Sequence, residues 1–215
     1  ILACTLECAR KSGLPYYHRM RHDGYFRHLL VRKAVKTEEI LIDIVTASEE
    51  GFDSKPKEFL NKWAAALQAL ELTGKIVGIL HTKNDSLADI VKDEGTEVLF
   101  GQDYFYEELL GLKFKITPFS FFQTNSLGAE VLYEKAREYI GDTNEKVVFD
   151  LYSGTGTIAQ ILAPVAKKVV GVEIVEEAVE AAKVNAKLNG LDNCTFWAGD
   201  VLKVIDELGE VPDLI

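Results

Sequence analysis

The sequence predicts an α/β protein in which a parallel sheet follows a smaller α+β domain. After residue 118, strongly apolar segments alternate with segments of helical periodicity, which is typical of a parallel sheet covered by helices. One of those strands leads through a glycine-containing loop into a helix, as in Rossmann-like folds. Before residue 118, β-rich segments are separated by short polar turns, which favours locally paired strands. The 215 residues suffice for one large domain or two small ones.

Residues 1–118 are predicted to form the α+β domain. Segments 27–35 and 39–47 are rich in apolar β-forming residues and flank a polar turn, so they predict a hairpin. Apolar residues at helical spacing predict a helix over 56–72, with Pro56 at its start. Four further segments have the composition of strands: 75–82, 87–92, 97–100 and 112–117.

Residues 119–215 are predicted to form the parallel-sheet domain. Helical periodicity covers 126–140, where Asn125 or Ser126 can cap the first turn and Gly141 can end the helix. Strands and helices are then expected to alternate, with strands over 147–152, 167–174 and 194–199 and helices over 157–166, 176–189 and 201–208.

The two ends of the chain indicate a fragment of a longer protein. The chain begins without a methionine, and 212–215 has the pattern of another apolar strand. We therefore expect a truncated sheet, in which the strand after Pro212 would lie beside strand 147–151. An uncovered central edge is a template for pairing, so we expect self-association or poor order near the C-terminus.

The composition is that of an ordinary soluble globular protein, with 47% hydrophobic and 27% charged residues. No apolar run reaches the ~18 residues of a membrane helix, which predicts no membrane contact. Three scattered cysteines favour a reducing, cytoplasmic location. The net charge of −10 is uneven, because residues 1–36 hold eight Lys and Arg against two acids while the rest hold 16 against 32. A nucleic-acid contact is therefore expected near the N-terminus.

The basic segment 10–36 is the candidate RNA-contact surface. Arginines there can hold phosphates while aromatic side chains stack on unpaired bases. The alternative is a solvated hairpin edge whose aromatic residues pack inward. The candidate RNA-binding residues are Arg19, Arg21, Arg27, Arg32 and Lys33, which are interleaved with Tyr16, Tyr17, Tyr25 and Phe26.

A second candidate site begins at the loop Gly154-x-Gly156-x-x-Ala159. It fits a nucleotide-binding pattern in which glycines allow a tight turn and a close approach to a ligand. A tight turn without a ligand is the alternative. Glu173 ends the next predicted strand and Asp200 follows the third, so both carboxylates are expected at the sheet edge where α/β folds bind ligands. There Glu173 can accept hydrogen bonds from ribose hydroxyls, and Asp200 from an adenine amino group.

Charge at this loop distinguishes two ligand classes. A dinucleotide places its pyrophosphate at the helix N-terminus, where Asp150 would add unfavourable negative charge. S-adenosylmethionine has no phosphate and carries a sulfonium cation, so nearby carboxylates are favourable. The sequence therefore favours S-adenosylmethionine over a nicotinamide dinucleotide.

The stretch from Phe119 to Asp200 resembles the RNA uracil-5-methyltransferases, above all the bacterial enzymes that act on 23S ribosomal RNA. The matching pieces are FFQTN at 121–125, the loop 150–157, GVE at 171–173, NAKLNG at 185–190 and GD at 199–200, while 24–33 is similar to the family's central domain. The resemblance implies a class I methyltransferase domain over 119–215, with the loop glycines Gly154 and Gly156. It also implies cofactor contacts by Gln123, Tyr152, Thr157, Glu173 and Asp200.

The family has a catalytic cysteine that adds to C6 of uracil and so makes C5 nucleophilic. It lies in a part that would follow Ile215, so the resemblance implies no catalytic residue in this chain and an inactive fragment. Cys194 opens a strand and is expected in the core. Cys4 and Cys8 are too few to hold an iron–sulfur cluster, which some family members carry on a part that would precede Ile1. No metal site is predicted in this chain.

The function implied by the resemblance is S-adenosylmethionine-dependent methylation of C5 of a uridine, with 23S ribosomal RNA as the expected partner. The alternatives are a transfer-RNA uracil-5-methyltransferase, a small-molecule methyltransferase and a non-catalytic nucleotide-binding module. The basic segment and the preceding α+β domain count against the small-molecule enzyme. The sequence does not specify which uridine is modified.

Overall fold

A computed structural model describes residues 1–48, 51–88, 93–141 and 143–215. This part of the chain divides into two compact units, Ile1–Phe105 with Thr117–Phe119 and Tyr106–Ile116 with Ser120–Ile215. The division differs from the predicted boundary at residue 118, because segment 106–116 packs within the second unit. Among the helices of the described residues, none has the length and apolar character needed to cross a bilayer.

The first unit is a mixed sheet with two helices. Its elements are α1 (Leu2–Ser12), β1 (Phe26–Lys33), β2 (Glu39–Thr46), α2 (Lys55–Gln68), β3 (Lys75–Lys83) and β4 (Thr96–Gly101). The strand order is β1-β2-β3-β4, in which β1–β2 and β3–β4 are antiparallel and β2–β3 is parallel. The predicted hairpin is confirmed as β1 and β2. The expectation of locally paired strands missed the parallel pair, which arises because α2 returns the chain to the start of the sheet.

Alternation along β2 builds the core of this unit. Ile40, Ile42 and Ile44 project to one face, where they join the apolar side of α2, including Phe59 and Trp63. The predicted α2 over 56–72 ends four residues early, at Gln68. Helix α1 was not predicted. Residues 89–92 of the predicted strand over 87–92 lie outside the described residues.

The second unit contains a hairpin and a parallel sheet with helices. Its elements are β5 (Phe105–Leu109), β6 (Leu112–Ile116), α3 (Ser126–Ile140), β7 (Thr143–Leu151), α4 (Thr157–Leu162), β8 (Ala166–Glu173), α5 (Glu176–Leu188), β9 (Cys194–Ala198) and α6 (Val201–Val204), with 3-10 turns at Ala163–Val165 and Ile205–Glu207. The predicted helix over 126–140 is confirmed at its bounds, with the Asn125 side chain as its cap. Strand β5 was not predicted.

The sheet order is β7-β8-β9, and both pairs are parallel. On the other side of β7, Leu214 forms a parallel bridge with Val148, and its carbonyl accepts a hydrogen bond from the Phe149 N–H at 2.9 Å. The prediction that the segment after Pro212 lies beside strand 147–151 is confirmed. The resulting 3-2-1-4 order reverses direction next to β7, and ligands of α/β sheets bind at such a reversal.

Two asparagines on α5 hold the hairpin. The Asn185 side chain accepts from the Lys115 N–H at 2.7 Å and donates to the Lys115 carbonyl at 3.2 Å, and Asn189 makes the same pair with Lys113 at 2.8 and 2.9 Å. Residues four apart on a helix rise about 6 Å, close to the roughly 6.7 Å between alternate residues of a strand. The helix therefore pairs with β6 through its side-chain amides, which explains why 106–116 belongs to this unit.

Candidate cofactor-binding site

The glycine loop between β7 and α4 turns through three residues in the left-handed region. Tyr152, Gly154 and Gly156 have φ angles of +63°, +54° and +70°. A Cβ on Gly156 would lie 2.5 Å from the Phe196 ring, so this glycine is required for close packing. A Cβ on Gly154 would meet nothing within 4 Å. The loop is therefore tightly packed at Gly156 and open at Gly154.

Glu173 fastens the end of β8 to this loop. Its Oε2 accepts from the Gly154 N–H at 2.9 Å, and its Oε1 accepts from the Val175 N–H at 3.0 Å. Each carboxylate oxygen has a second acceptor position, so the group can still receive two hydroxyl donors. The sequence prediction placed Glu173 beside the glycine loop, and the structure brings the two into direct contact.

Asp200 lies at the same edge. It caps α6 by accepting from the Leu202 N–H through Oδ1 at 3.0 Å. The adjoining Gly199 N–H donates to the Glu173 carbonyl at 2.8 Å, which ties the ends of β8 and β9 together. The second carboxylate oxygen of Asp200 is left for another donor.

Asp150 supports the loop from beneath. Its Oδ2 accepts from the Ala159 N–H at 3.0 Å, and burial raises its pKa to about 6. Burial, together with the charge of Asp150, raises the pKa of Cys194 to about 12. The Cys194 thiol is therefore protonated at neutral pH and packs with the core, as expected from its place at the start of a strand.

Segment 119–125 is fixed against the loop. The Thr155 hydroxyl donates to the Phe121 carbonyl at 3.3 Å, and the Phe122 ring lies 5.8 Å from that of Phe114 in β6. This places the exposed Gln123 near the glycine loop, where its side chain hydrogen-bonds the buried Tyr133. Neither Thr155 nor Tyr133 was a predicted site residue. Thr155 lies inside the loop motif, which could have identified it, whereas Tyr133 gives no signal in the sequence.

The structure thus gathers the predicted cofactor residues at one edge of the sheet. Hydrogen bonds link the segment before α3 to the loop, the loop to the end of β8, and β8 to the end of β9. The predicted residues on these segments are Gln123, Tyr152, Gly154, Gly156, Thr157, Glu173 and Asp200. Tyr152 is 72% exposed, and the hydroxyls of Thr157 and Thr155 lie 3.5 Å apart.

The predicted RNA-binding residues in the first unit divide into two groups. Arg27 donates to the carbonyls of Asn84 and Ser86 at 2.8 Å, and its guanidinium lies 4.2 Å from the centre of the Tyr17 ring. Arg32 donates to the Thr117 carbonyl at 2.6 Å, and burial lowers its pKa. Both guanidinium groups thus hold backbone. The exposed members of the set are Arg19, Arg21 and Lys33.

The aromatic residues of the basic segment also divide. Tyr25 and Phe26 are buried in the core of the first unit, while Tyr16 is 53% exposed. The inward-packing alternative therefore describes Tyr25 and Phe26.

The cysteines near the N-terminus are free and half-buried. Burial and the neighbouring Cys4 raise the pKa of Cys8. Across the described ranges, no group of three or more His, Cys, Asp or Glu side chains is arranged to hold a metal ion.

A parallel sheet with a glycine loop after its first strand and an acid at the end of its second defines a Rossmann-like fold of the nucleotide-binding class. Residues 142–215 match a family described as a methyltransferase domain. The chain is also similar to the crystal structure of Pyrococcus abyssi tRNA (uracil-54, C5)-methyltransferase in complex with S-adenosyl-L-homocysteine, with a TM-score of 0.71 and 24% identity over 92% of this chain and 45% of that one. The predicted Rossmann-like methyltransferase fold is confirmed.

Two curated relatives match along the whole chain. An uncharacterized RNA methyltransferase of Clostridium tetani is 52% identical over 100% of this chain and 46% of its own length. Another, from Clostridium acetobutylicum, is 53% identical over the same shares. The chain therefore spans about half the length of the curated relatives it matches.

Proposed function

We propose that this protein is an S-adenosylmethionine-dependent RNA methyltransferase whose second unit binds the cofactor. The observation that carries the proposal is the Glu173 carboxylate, which lies at the sheet edge and holds the Gly154 N–H of the open loop. The likeness to the two clostridial RNA methyltransferases, at 52% and 53% identity, supports RNA as the substrate class.

The charges of the site suit S-adenosylmethionine. Asp150, Glu173 and Asp200 bring carboxylates to the loop and strand ends, and the burial that raises the pKa of Asp150 leaves it in need of a neighbouring cation. The cofactor carries ammonium and sulfonium cations and would supply an electrophilic methyl group. In this assignment Glu173 accepts from the ribose hydroxyls and Asp200 from the adenine amino group.

The remaining predicted residues complete the pocket. Tyr152, on the exposed side of the loop, offers a ring face to the adenosine part of the cofactor. Gln123 and Thr157 offer an amide and a hydroxyl to its amino-acid part. The backbone at Gly154 admits close approach, because no atom occupies the space above its Cα.

The target atom is C5 of a uridine in this proposal, as the family resemblance implies. C5 of neutral uracil is a weak nucleophile, so a thiolate must first add to C6. Cys194 is unsuited to this role, because a pKa raised to about 12 leaves almost no thiolate at neutral pH. We therefore place the nucleophile outside residues 1–215, so that these residues alone would bind the cofactor without transferring its methyl group.

The RNA partner is 23S ribosomal RNA by resemblance to that branch of the family. Transfer RNA is the second candidate, because the structurally similar Pyrococcus protein is a tRNA (uracil-54, C5)-methyltransferase. Exposed Arg19, Arg21 and Lys33 are the proposed phosphate contacts of the first unit, where Arg27 and Arg32 already hold backbone carbonyls.

The proposal is tested with the full-length protein and methyl-labelled S-adenosylmethionine. Incubation with 23S ribosomal RNA and, separately, with transfer RNA should yield 5-methyluridine in one of them, detected by nucleoside mass spectrometry. Labelling of neither RNA would contradict the proposed activity, and methylation of another atom would contradict the uridine C5 assignment.

Cofactor binding is tested by calorimetry on Glu173→Ala. Loss of a charged acceptor for two hydroxyls should weaken binding by roughly tenfold or more. Glu177→Ala, an exposed acid in the first turn of α5, is the matched control and should bind as the wild type does. Equal affinities for the two variants would remove Glu173 from the site.

A further inference from the structure

The position of Gln123 is fixed by contacts on both sides of it. Before it, the Phe121 carbonyl accepts a hydrogen bond from Thr155 of the glycine loop at 3.3 Å. After it, the Asn125 side chain caps α3 by accepting from the Gly128 N–H at 2.9 Å. These contacts place the backbone, but they leave open which end of the Gln123 amide faces the pocket.

Tyr133 supplies the missing orientation. It projects inward from the second turn of α3 and is only 5% exposed, whereas Gln123 is exposed. Burial raises the pKa of Tyr133, the hydrogen bond with Gln123 lowers it, and the charge of Asp150 raises it further. A hydrogen bond that lowers the pKa of a phenol is one donated to its oxygen, so the Gln123 amide nitrogen is the donor.

We propose that Tyr133 is a positioning residue of the cofactor site, whose hydroxyl oxygen accepts from the Gln123 amide and so leaves the Gln123 carbonyl free to accept from the ammonium group of the cofactor. The inference rests on the proposed function. A reversed amide would present two N–H donors to an ammonium group, which has donors only. The hydroxyl of Tyr133 thus determines whether Gln123 attracts or repels that part of the ligand.

The test is a set of binding measurements on the full-length protein. Tyr133→Phe removes one oxygen and keeps the ring in the core. The probes are S-adenosylhomocysteine, which has the ammonium group, and methylthioadenosine, which lacks the whole amino-acid part. We expect Tyr133→Phe to weaken S-adenosylhomocysteine by about three- to tenfold, the effect of one hydrogen bond, and to leave methylthioadenosine unchanged.

Two further variants separate positioning from packing. Tyr139→Phe is the matched control, since this tyrosine lies on the same helix and is 89% exposed, and it should bind both probes as the wild type does. In a double-mutant cycle, Tyr133→Phe should add nothing to Gln123→Ala, because the hydroxyl acts through that amide.

The outcomes distinguish this inference from the proposal beneath it. Wild-type affinity in Tyr133→Phe, equal weakening of both probes, or an additive double variant would each overturn the positioning role. A wild-type protein that binds neither probe would overturn the proposed cofactor site itself, and this inference with it.

Discussion

The proton on Asp150 links the cofactor site to pH. Burial raises the pKa of this carboxyl from 3.8 to about 6 in the ligand-free protein. A shift of roughly two units corresponds to about 3 kcal/mol against the ionised form. Folding therefore gains from the protonated group below its ordinary pKa and loses that contribution as the pH rises through about 6. A ligand cation beside Asp150 would offset the cost by favouring the carboxylate.

We therefore expect S-adenosylmethionine to bind the ionised form of Asp150. Below pH 6, binding must first remove a proton, so affinity falls as the pH falls. If the pKa returns to near its ordinary value in the complex, the association constant at pH 5 is roughly tenfold lower than at pH 7, and it changes little above pH 7 from this group.

Isothermal titration at pH 5, 6 and 7 measures the slope, and two buffers of different ionisation enthalpy measure the released proton. Asp150→Asn should bind weakly and with little pH dependence. Asp43→Asn is the matched control, because burial also raises the pKa of Asp43 to about 6 but this residue lies in β2 of the first unit, and the slope should persist in it. A wild-type affinity that is constant from pH 5 to 7, or a slope that survives in Asp150→Asn, would refute the reasoning.

Three further predictions concern packing and charge. Gly156→Ala should lower the melting temperature more than Gly154→Ala, since both glycines have positive φ but only the first meets a ring; equal losses would contradict the packing argument. Asn185→Ala should cost about 2 kcal/mol and weaken amide protection in the hairpin, because it leaves two backbone groups without partners, and unchanged protection would refute the clamp. Arg27→Ala should lower the melting temperature, whereas Arg21→Ala should reduce the salt dependence of RNA binding by about 0.7 per lost phosphate contact; the reverse pattern would contradict these roles.

The sequence predicted the cofactor edge because its constraints are local. A turn through the left-handed region restricts Gly156 to glycine, and a strand that ends beside the turn brings Glu173 with it. The capping side chain of Asn125 and the terminal Gly141 likewise defined α3 within a few residues of the chain. Each of these features depends on neighbours that are close in sequence, so a pattern can reveal them.

Tertiary hydrogen bonds left no comparable pattern. Asn185 and Tyr133 lie on helices, where an amide or a phenol is compatible with an exposed or a buried position. The periodicity of α3 grouped Leu127, Val131 and Tyr139 on one face, yet these are exposed and the helix buries Tyr133 instead. Periodicity identified the helix, but which of its faces is covered depends on elements elsewhere in the chain.

The basic segment shows the same limit in its charges. A count of Lys and Arg treats every cation as available to RNA, but a guanidinium bonded to carbonyls has donors already committed. Arg27 closes the loop at 84–88 through three carbonyls, two of them at 2.8 Å. Arg21, by contrast, makes an exposed ion pair with Asp23 at 3.1 Å. Such pairs contribute about 0–1 kcal/mol, so a phosphate can displace the carboxylate at little cost. RNA affinity should therefore follow the exposed cations of the segment rather than its total charge.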